Sequence, residues 1–453
     1  MSNNQPPESS GQFLIGNLQP FLNDRLNFLM DVSREYGDFV KIPVAGQNLY
    51  LINNTEAIHQ VLVTQSAHFE RTSRFRRAFS AIVGEGIMTM EKKEHQARRQ
   101  LVQPAFHHRY IQHYAETMVE ETNRMFNQWR DGQVIHANRE MMNLTLSVVT
   151  KTLFGSDITL ESDAIGEAIL TNIEDFEDRL FNFLPTDWLP TAKNKKRKAA
   201  KQLVEATVTK IIEERRASGE EKHDFLGMLL NSADKNGNSL SNQEIMSEAL
   251  TFLASGHETT ANVLTWALHL ISQNPDVEAK LMEEVDSVLG NDPASLAHYR
   301  QLDYTSQVIN ETMRLYPPLW LLTRIATADV EINGYHIKKG SVMLISPYTM
   351  HRNPDYYIAP DEFLPERFVN NYEKSLPKYA YIPFGGGERI CIGKEFAQME
   401  MRLVLATVMQ NYRLKSQSSE TIEPLPLLSL RPSHPVMLEV SERQKLDAYR
   451  IAS

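Results

Sequence analysis

With 453 residues, a single cysteine and 57 acidic against 47 basic side chains, giving a net charge of −10, the chain excludes several classes of function. One cysteine rules out an intramolecular disulfide and suits a reducing cytoplasm, and the acidic balance argues against nucleic acid as the main partner. No run of about 18 apolar residues occurs, so neither a signal segment nor a transmembrane anchor is expected. No linker or repeat divides the sequence either, and one domain over residues 1–453 is expected.

Residues 22–36 read as a helix. Phe39 to Val44 and Leu49 to Ile52 alternate on either side of Ala45-Gly46-Gln47-Asn48, as the arms of a hairpin do, and a helix is expected from Thr55 to about Val63. From Glu70 to Glu91 the periodicity fails, with Gly84 and Gly86 breaking an apolar stretch that holds Ile87 and Met88. In E-H-Q-A-R-R-Q-L-V-Q-P, His95 and Arg99 share one face of a short helix that ends before Pro104; alone, this is a solvated face. Amphipathic stretches over about 111–130, 138–153, 161–180 and 195–217 make the middle of the chain mostly helical. Between the last two, Phe181, Phe183, Trp188 and Leu189 precede a basic run from Lys193 to Lys201. That run is most simply a solvated helix face; the sharper alternative is a greasy lid whose lysines touch an anionic surface.

A capping box, S-N-Q-E at Ser241, opens a helix that runs to Asn274-Pro275. Its apolar interior is interrupted by a polar island, Ser255-Gly256-His257-Glu258-Thr259-Thr260. Polar groups in a core helix cost free energy unless partnered, so the island points to function. Further on, Glu311 and Arg314 stand at i and i+3 before Pro317-Pro318, and Pro365-Glu366-Arg367-Phe368 follows. Arg324 to Ile332 and Tyr335 to Ile337 flank Asn333-Gly334 as a second hairpin would, which places β structure mainly in 37–53 and 320–345. The only cysteine comes next, in F-G-G-G-E-R-I-C-I-G from Phe384 to Gly393, ahead of a helix over Lys394 to about Tyr412 and short strands around Leu427 to Val440. Glycines let that loop turn tightly and approach a flat ligand, and a thiolate ahead of a helix N-terminus suits an iron ligand.

The decapeptide resembles the haem-binding loop of the cytochrome P450 family, F-x-x-G-x-R-x-C-x-G, at every fixed position. The resemblance implies a mainly α fold with a subsidiary β region, haem b, and Cys391 as its axial thiolate, whose electron push favours O–O cleavage. It implies that Phe384 packs near the sulfur and that Arg389, Arg99, Arg324 and His95 hold the propionates. The island resembles the family's A-G-x-D/E-T-T, with Ser255 in place of the alanine: Gly256 would let the helix lie against the porphyrin, while Thr259 and Glu258 hold dioxygen and relay protons. Glu311, Arg314 and Arg367 would form a buried structural triad supporting the cysteine loop.

The expected function is therefore a haem-thiolate monooxygenase that hydroxylates or epoxidises an apolar substrate with dioxygen. Its two electrons would come from a separate ferredoxin or flavodoxin with its reductase, for which Lys394 is a candidate contact. A peroxide-using or rearranging enzyme, or a non-catalytic haem protein, would not need the Glu258-Thr259 pair. Some fatty-acid hydroxylases of the family hold a carboxylate through the N-terminal hairpin; here Gln47 and Leu51 fall at those places, so a terpenoid or fatty-acyl chain gripped by burial, against Ile87 and Met88 among others, is expected.

Overall fold

The computed structural model describes all residues except 1–3, 13–14, 107, 158–161, 182–187, 221, 223, 233–238, 419 and 444–453. Helices dominate. The longest, Asn242–Gln273, passes through the middle of the core, and every residue from Ala261 to Ile271 on it is buried. Its start is fixed as the sequence predicts: Ser241 Oγ accepts from the Glu244 N–H while Glu244 reaches back to the Ser241 N–H. Helices Ala137–Phe154, Ala192–Ser218, Asp303–Leu315 and Lys394–Asn411 pack against it, and Ser162–Phe181 packs in turn on Ala137–Phe154 and Ala192–Ser218. Trp266 fixes the C-terminal segment to this helix, since its indole donates to the Leu430 carbonyl at 3.1 Å and stacks on Tyr316 at 3.8 Å. Such a stack adds about 0.5–1.5 kcal/mol beyond area burial.

The β structure is subsidiary. A five-stranded sheet has the order Phe39–Val44, Gln47–Ile52, Val342–Ile345, Leu322–Ala326, Phe69–Glu70. The N-terminal hairpin thus closes at Val44–Gln47 and pairs in parallel with the strand at 342–345, setting Arg324 beside Met343. Val330–Ile332 and Tyr335–Ile337 form the second hairpin, with Asn333 and Gly334 both at positive φ. Arg324 lies on a separate strand and not in that hairpin.

The stretch from Glu70 to Glu91 departs from expectation. It contains a helix, Ser73–Val83, capped by the Thr72 hydroxyl and ended by Gly84 at φ 81°. Phe75, Ala78, Phe79, Ile82 and Val83 do recur with helical spacing and pack on the core, so the signal was present but masked by Arg74, Arg76 and Arg77 between them.

Candidate active site

Local geometry explains the composition of the cysteine loop. Gly385 and Gly387 take φ of 68° and 67°, and a Cβ on Gly387 would lie 2.1 Å from the Leu62 carbonyl oxygen. A Cβ on Gly386 would meet the Tyr379 ring at 2.5 Å, so the three glycines let the loop lie flat against residues 60–64. The Cys391 N–H donates to the Phe384 carbonyl at 3.0 Å, and the helix Lys394–Asn411 starts just beyond, after Gly393. Cys391 remains exposed. Surrounding protein nevertheless desolvates the sulfur and raises its pKa, opposed by the Gly393 N–H, Arg99 and Lys394, so the thiolate calls for a cation. Among the described residues no cluster of three or more His, Cys, Asp or Glu could hold a metal.

Beside this loop the charges do not balance. Arg389 donates to the Met90 carbonyl at 2.6 Å and to Glu91 at 2.5 Å, but its buried Nη1 finds no partner among the described residues. Arg99 donates to the Ile390 carbonyl at 2.8 Å and Arg324 to that of Thr323 at 2.8 Å. Arg71, which sequence reasoning missed, donates to the Met88 carbonyl at 2.7 Å; it directly follows the strand Phe69–Glu70 that pairs with the strand of Arg324. Burial, then Arg389 and Arg324, pushes the pKa of Arg71 well down, and burial with Arg389 takes Arg324 to about 10. Guanidinium groups keep their proton, so these directions report burial first and crowding by neighbouring cations second, with Glu91 opposing both. His95 is buried and lowered to about 3 by burial and by Arg389, Arg71, Arg99 and Arg324, so its ring is neutral. Glu91 opposes Arg71, Arg324 and Arg389, and Glu388 adds to it at Arg389. Such a site fits a ligand carrying two carboxylates, as haem b does.

The long helix presents its island in two directions. Ser255 is exposed and Thr259 half-buried, one turn apart on the same face; each hydroxyl donates to the carbonyl four residues back, at 2.7 Å and 2.9 Å. Gly256 points elsewhere, since a Cβ there would meet Val149 at 3.1 Å. Its role is to admit the neighbouring helix, and Ser255 takes the open face assigned to Gly256. A step of about 100° per residue accounts for the difference. His257 is fully buried, and burial lowers its pKa to about 4.

Glu258 is also buried, held by contacts absent from the sequence reading. Ser429 Oγ donates to Oε1 at 2.5 Å and Arg431 Nε at 2.7 Å, while Asn262 donates to Ser429 at 2.8 Å. The paired strands Pro424–Pro426 and Leu430–Pro432 bring these groups in. Arg431→Met and Glu258→Gln are expected to be non-additive in urea unfolding, with a coupling of about 1–3 kcal/mol. Strictly additive effects would show that the pair is not coupled.

The remaining expected residues divide. Glu311 and Arg314 are fully buried and paired, with Arg367 Nε at 3.4 Å. Phe384 is half-buried with Lys394 Nζ 6.0 Å above its ring, and Ile87 and Met88 pack on the main core. Leu51 is fully buried in the sheet's core, so it lines no pocket mouth; only Gln47 of that pair is exposed. Phe181 lies under Arg25 at 3.7 Å and against Phe21, tying its helix to the N-terminal region, while Trp188 is 79% exposed. Phe183 lies outside the described residues. In the basic run Lys193 and Arg197 bind Asp178, and Lys196 binds Glu167 at 3.2 Å, so much of it neutralises the preceding helix. Among the described residues no helix is long and apolar enough to cross a membrane.

Comparison with known proteins gives concordant matches. The cytochrome P450 family model matches residues 6–440. Pentalenene oxygenase of Streptomyces avermitilis is 30% identical over 438 residues, covering 95% of this chain and 96% of that protein. Cyclooctatin synthase of Streptomyces melanosporofaciens is 34% identical over 401 residues, 87% of each chain. The structure of retinoic acid-bound cyanobacterial CYP120A1 superposes with a TM-score of 0.86 at 26% identity, covering 98% of this chain and 100% of that one.

Proposed function

Because the chain belongs to the cytochrome P450 family, we propose that Cys391 is the axial thiolate of its haem b, with Arg71, Arg99, Arg324, Arg389 and neutral His95 disposed around the propionates. The protein is a haem-thiolate monooxygenase acting on an apolar substrate, and it needs dioxygen and a redox partner. Bound haem supplies the activation of dioxygen with two electrons, so that one oxygen atom enters the substrate and the other leaves as water. The observation that carries the site assignment is the orphaned guanidinium Nη1 of Arg389 among cations opposed by Glu91, beside the exposed Cys391 sulfur.

The chain's own groups do the rest. Phe384 covers one side of the sulfur's surroundings and limits its donation. Ser255 and Thr259 offer hydroxyls on the open face of the long helix, and Glu258 holds a carboxylate one residue away, tethered by Arg431 and Ser429. Proton delivery to Thr259 therefore asks Glu258 to exchange one of those partners for a water or for the threonine hydroxyl. Terpenoid substrates are the class that relatives named for pentalenene and cyclooctat-9-en-7-ol support. The electron donor is a ferredoxin or flavodoxin with its reductase, meeting the protein near Lys394. Residues 1–453 act as one domain in the cytoplasm, a reading supported by the single cysteine and the lack of any dividing linker. Carbon monoxide added to the reduced holoprotein tests the assignment: the strongly red-shifted Soret band of a thiolate adduct is expected, and a histidine-type spectrum would remove Cys391 as ligand.

A further inference from the structure

Glu248, Thr251, Ser255 and Thr259 recur at i, i+3, i+7 and i+11, so one stripe of the long helix is polar over about 16 Å. A buried cluster forms the end of this stripe remote from Thr259. Glu248 is 0% exposed; its Oε1 accepts from the Ile87 N–H at 3.0 Å and faces Arg98 Nε at 3.5 Å. Gly86 permits this approach, since a Cβ there would lie 3.2 Å from Oε1. Three buried polar atoms find no partner among the described residues: Glu248 Oε2, Arg98 Nη1 and Thr251 Oγ1. Unlike Ser255, Thr259, Thr260 and Thr265, which each donate to the carbonyl four residues back, Thr251 makes no such bond. A carboxylate oxygen, a guanidinium N–H and a hydroxyl left over within one turn are the groups with which proteins hold internal water.

We propose that Glu248 is a proton-relay residue of the monooxygenase reaction, passing protons through internal water and the Thr251 and Ser255 hydroxyls to Thr259. Glu258, beside Thr259 in sequence, is tied to Arg431 and Ser429 and must give up a bond before it acts, whereas Glu248 keeps one oxygen free. Each turnover consumes two protons with its two electrons. In the relay the Glu248 carboxyl releases its proton to water, each hydroxyl accepts one proton and gives up its own, and Thr259 delivers the last; nothing in the chain is oxidised or reduced. The carboxylate left behind faces Arg98. It regains its proton from solvent at the start of the helix, where Glu244, its side chain 40% exposed, holds Arg98 Nη2 at 2.6 Å. Burial, with Glu244 adding to it and Arg98 and the Ile87 N–H opposing, brings the pKa of Glu248 to about 7, where a carboxyl both holds and releases a proton near neutrality. Arg98 and Glu244 are the charged groups that face it. Glu85, on the loop of Ile87, is turned to Ser80 and Thr89, and the helix Phe225–Asn231 carries no charge. The inference rests on the monooxygenase reading, which the carbon monoxide spectrum tests separately.

The experiment uses holoprotein with a normal thiolate carbon monoxide spectrum, so that its failure is separate from failure of the monooxygenase reading. Infrared difference spectra taken on either side of neutral pH read the carboxyl directly: a protonated carboxylic acid band that titrates at about 7 is expected in the parent, with one component missing from Glu248→Gln. The glutamine keeps an acceptor for the Ile87 N–H, so cofactor content and the substrate-induced spin-state change are expected to stay at parent values. Product formed per electron is expected to fall about tenfold, with more peroxide and a larger solvent deuterium isotope effect on product formation. In the parent, coupling is expected to decline as pH rises through about 7, where Glu248 loses its proton, and in the glutamine variant to be low and level. Thr251→Val, which keeps the shape without the hydroxyl, is expected to uncouple likewise, and Thr251→Ser to recover most of the coupling. Should Glu248→Gln fail to take up haem, the Thr251 variants decide. Parent coupling and isotope effect in Glu248→Gln or in Thr251→Val overturn the proposal, and so does an infrared band unchanged in Glu248→Gln. A variant that melts lower yet couples normally also overturns it, leaving Glu248 as an anchor for the loop at Ile87.

Discussion

Glu311→Ala is expected to cost about 3–5 kcal/mol, and to yield protein that either fails to fold or holds little cofactor, because it leaves the Arg314 guanidinium buried and unpaired. Both side chains are 0% exposed. Arg314 meets the carboxylate as a fork, Nε to Oε2 at 2.7 Å and Nη2 to Oε1 at 2.8 Å, and its other N–H groups go to the carbonyls of His351, Pro360 and Glu362. All five donors are used. Glu311 Oε1 also takes the Leu364 N–H at 3.0 Å and faces Arg367 at 3.4 Å. The link to the cysteine loop runs through His351, whose carbonyl binds Arg314 and whose Nε2 accepts from the Ile382 N–H at 2.9 Å, two residues before Phe384. Burial and Arg314 hold the pKa of that ring at about 3, so it stays neutral and able to accept. Domains are stable by only about 5–15 kcal/mol, so the loss is a large share of the total. Thermal melts and cofactor content of Glu311→Ala and Arg314→Ala measure it. A variant with the parent melting temperature and full cofactor would show that the triad carries no load.

What the sequence made legible follows the range of the interactions. The cysteine loop is local: Gly385 and Gly387 need positive φ, and the loop's length places Cys391 ahead of its helix, so ten residues sufficed. Glu311 and Arg314 are one helical turn apart, and their spacing likewise exposed the pair. Arg71 escaped because its place beside Arg324 is created by the pairing of Phe69–Glu70 with residues 325–326, more than 250 positions away in sequence. Ser429 and Arg431 escaped for the same reason, since only the docking of the C-terminal segment through Trp266 and Leu430 brings them onto Glu258. Gly256 is a different kind of error. The period of the helix already places residue 256 about 100° from the face shared by 255 and 259, and following that period would have assigned Ser255 to the open side.

Thr259→Ala separates the two hydroxyls on that face, and its expected result is intact cofactor and substrate binding with a loss of about tenfold or more in product formed per electron consumed. In the structure the Thr259 hydroxyl donates back to the Ser255 carbonyl at 2.9 Å, a bond within its own helix that costs little to give up. The helix itself does not depend on it, because residues on either side are buried and the backbone bonds remain. Removing the hydroxyl therefore leaves the fold and removes one proton donor from a face where Ser255 is the nearest alternative. Ser255 donates in the same manner to Thr251, one turn further from Glu258, so it substitutes poorly. Proton-delivery groups contribute roughly 10²- to 10⁴-fold, and where protons are misdirected two electrons and two protons leave with dioxygen as hydrogen peroxide instead of forming product. Thr259→Ser, which keeps the hydroxyl, is expected to recover most of the coupling, and Thr259→Val, which keeps the shape, is not. Measuring electron consumption, peroxide and product together in the three variants decides the matter. Coupling unchanged in the alanine and valine variants would remove Thr259 from proton delivery and leave Ser255 as the group to test.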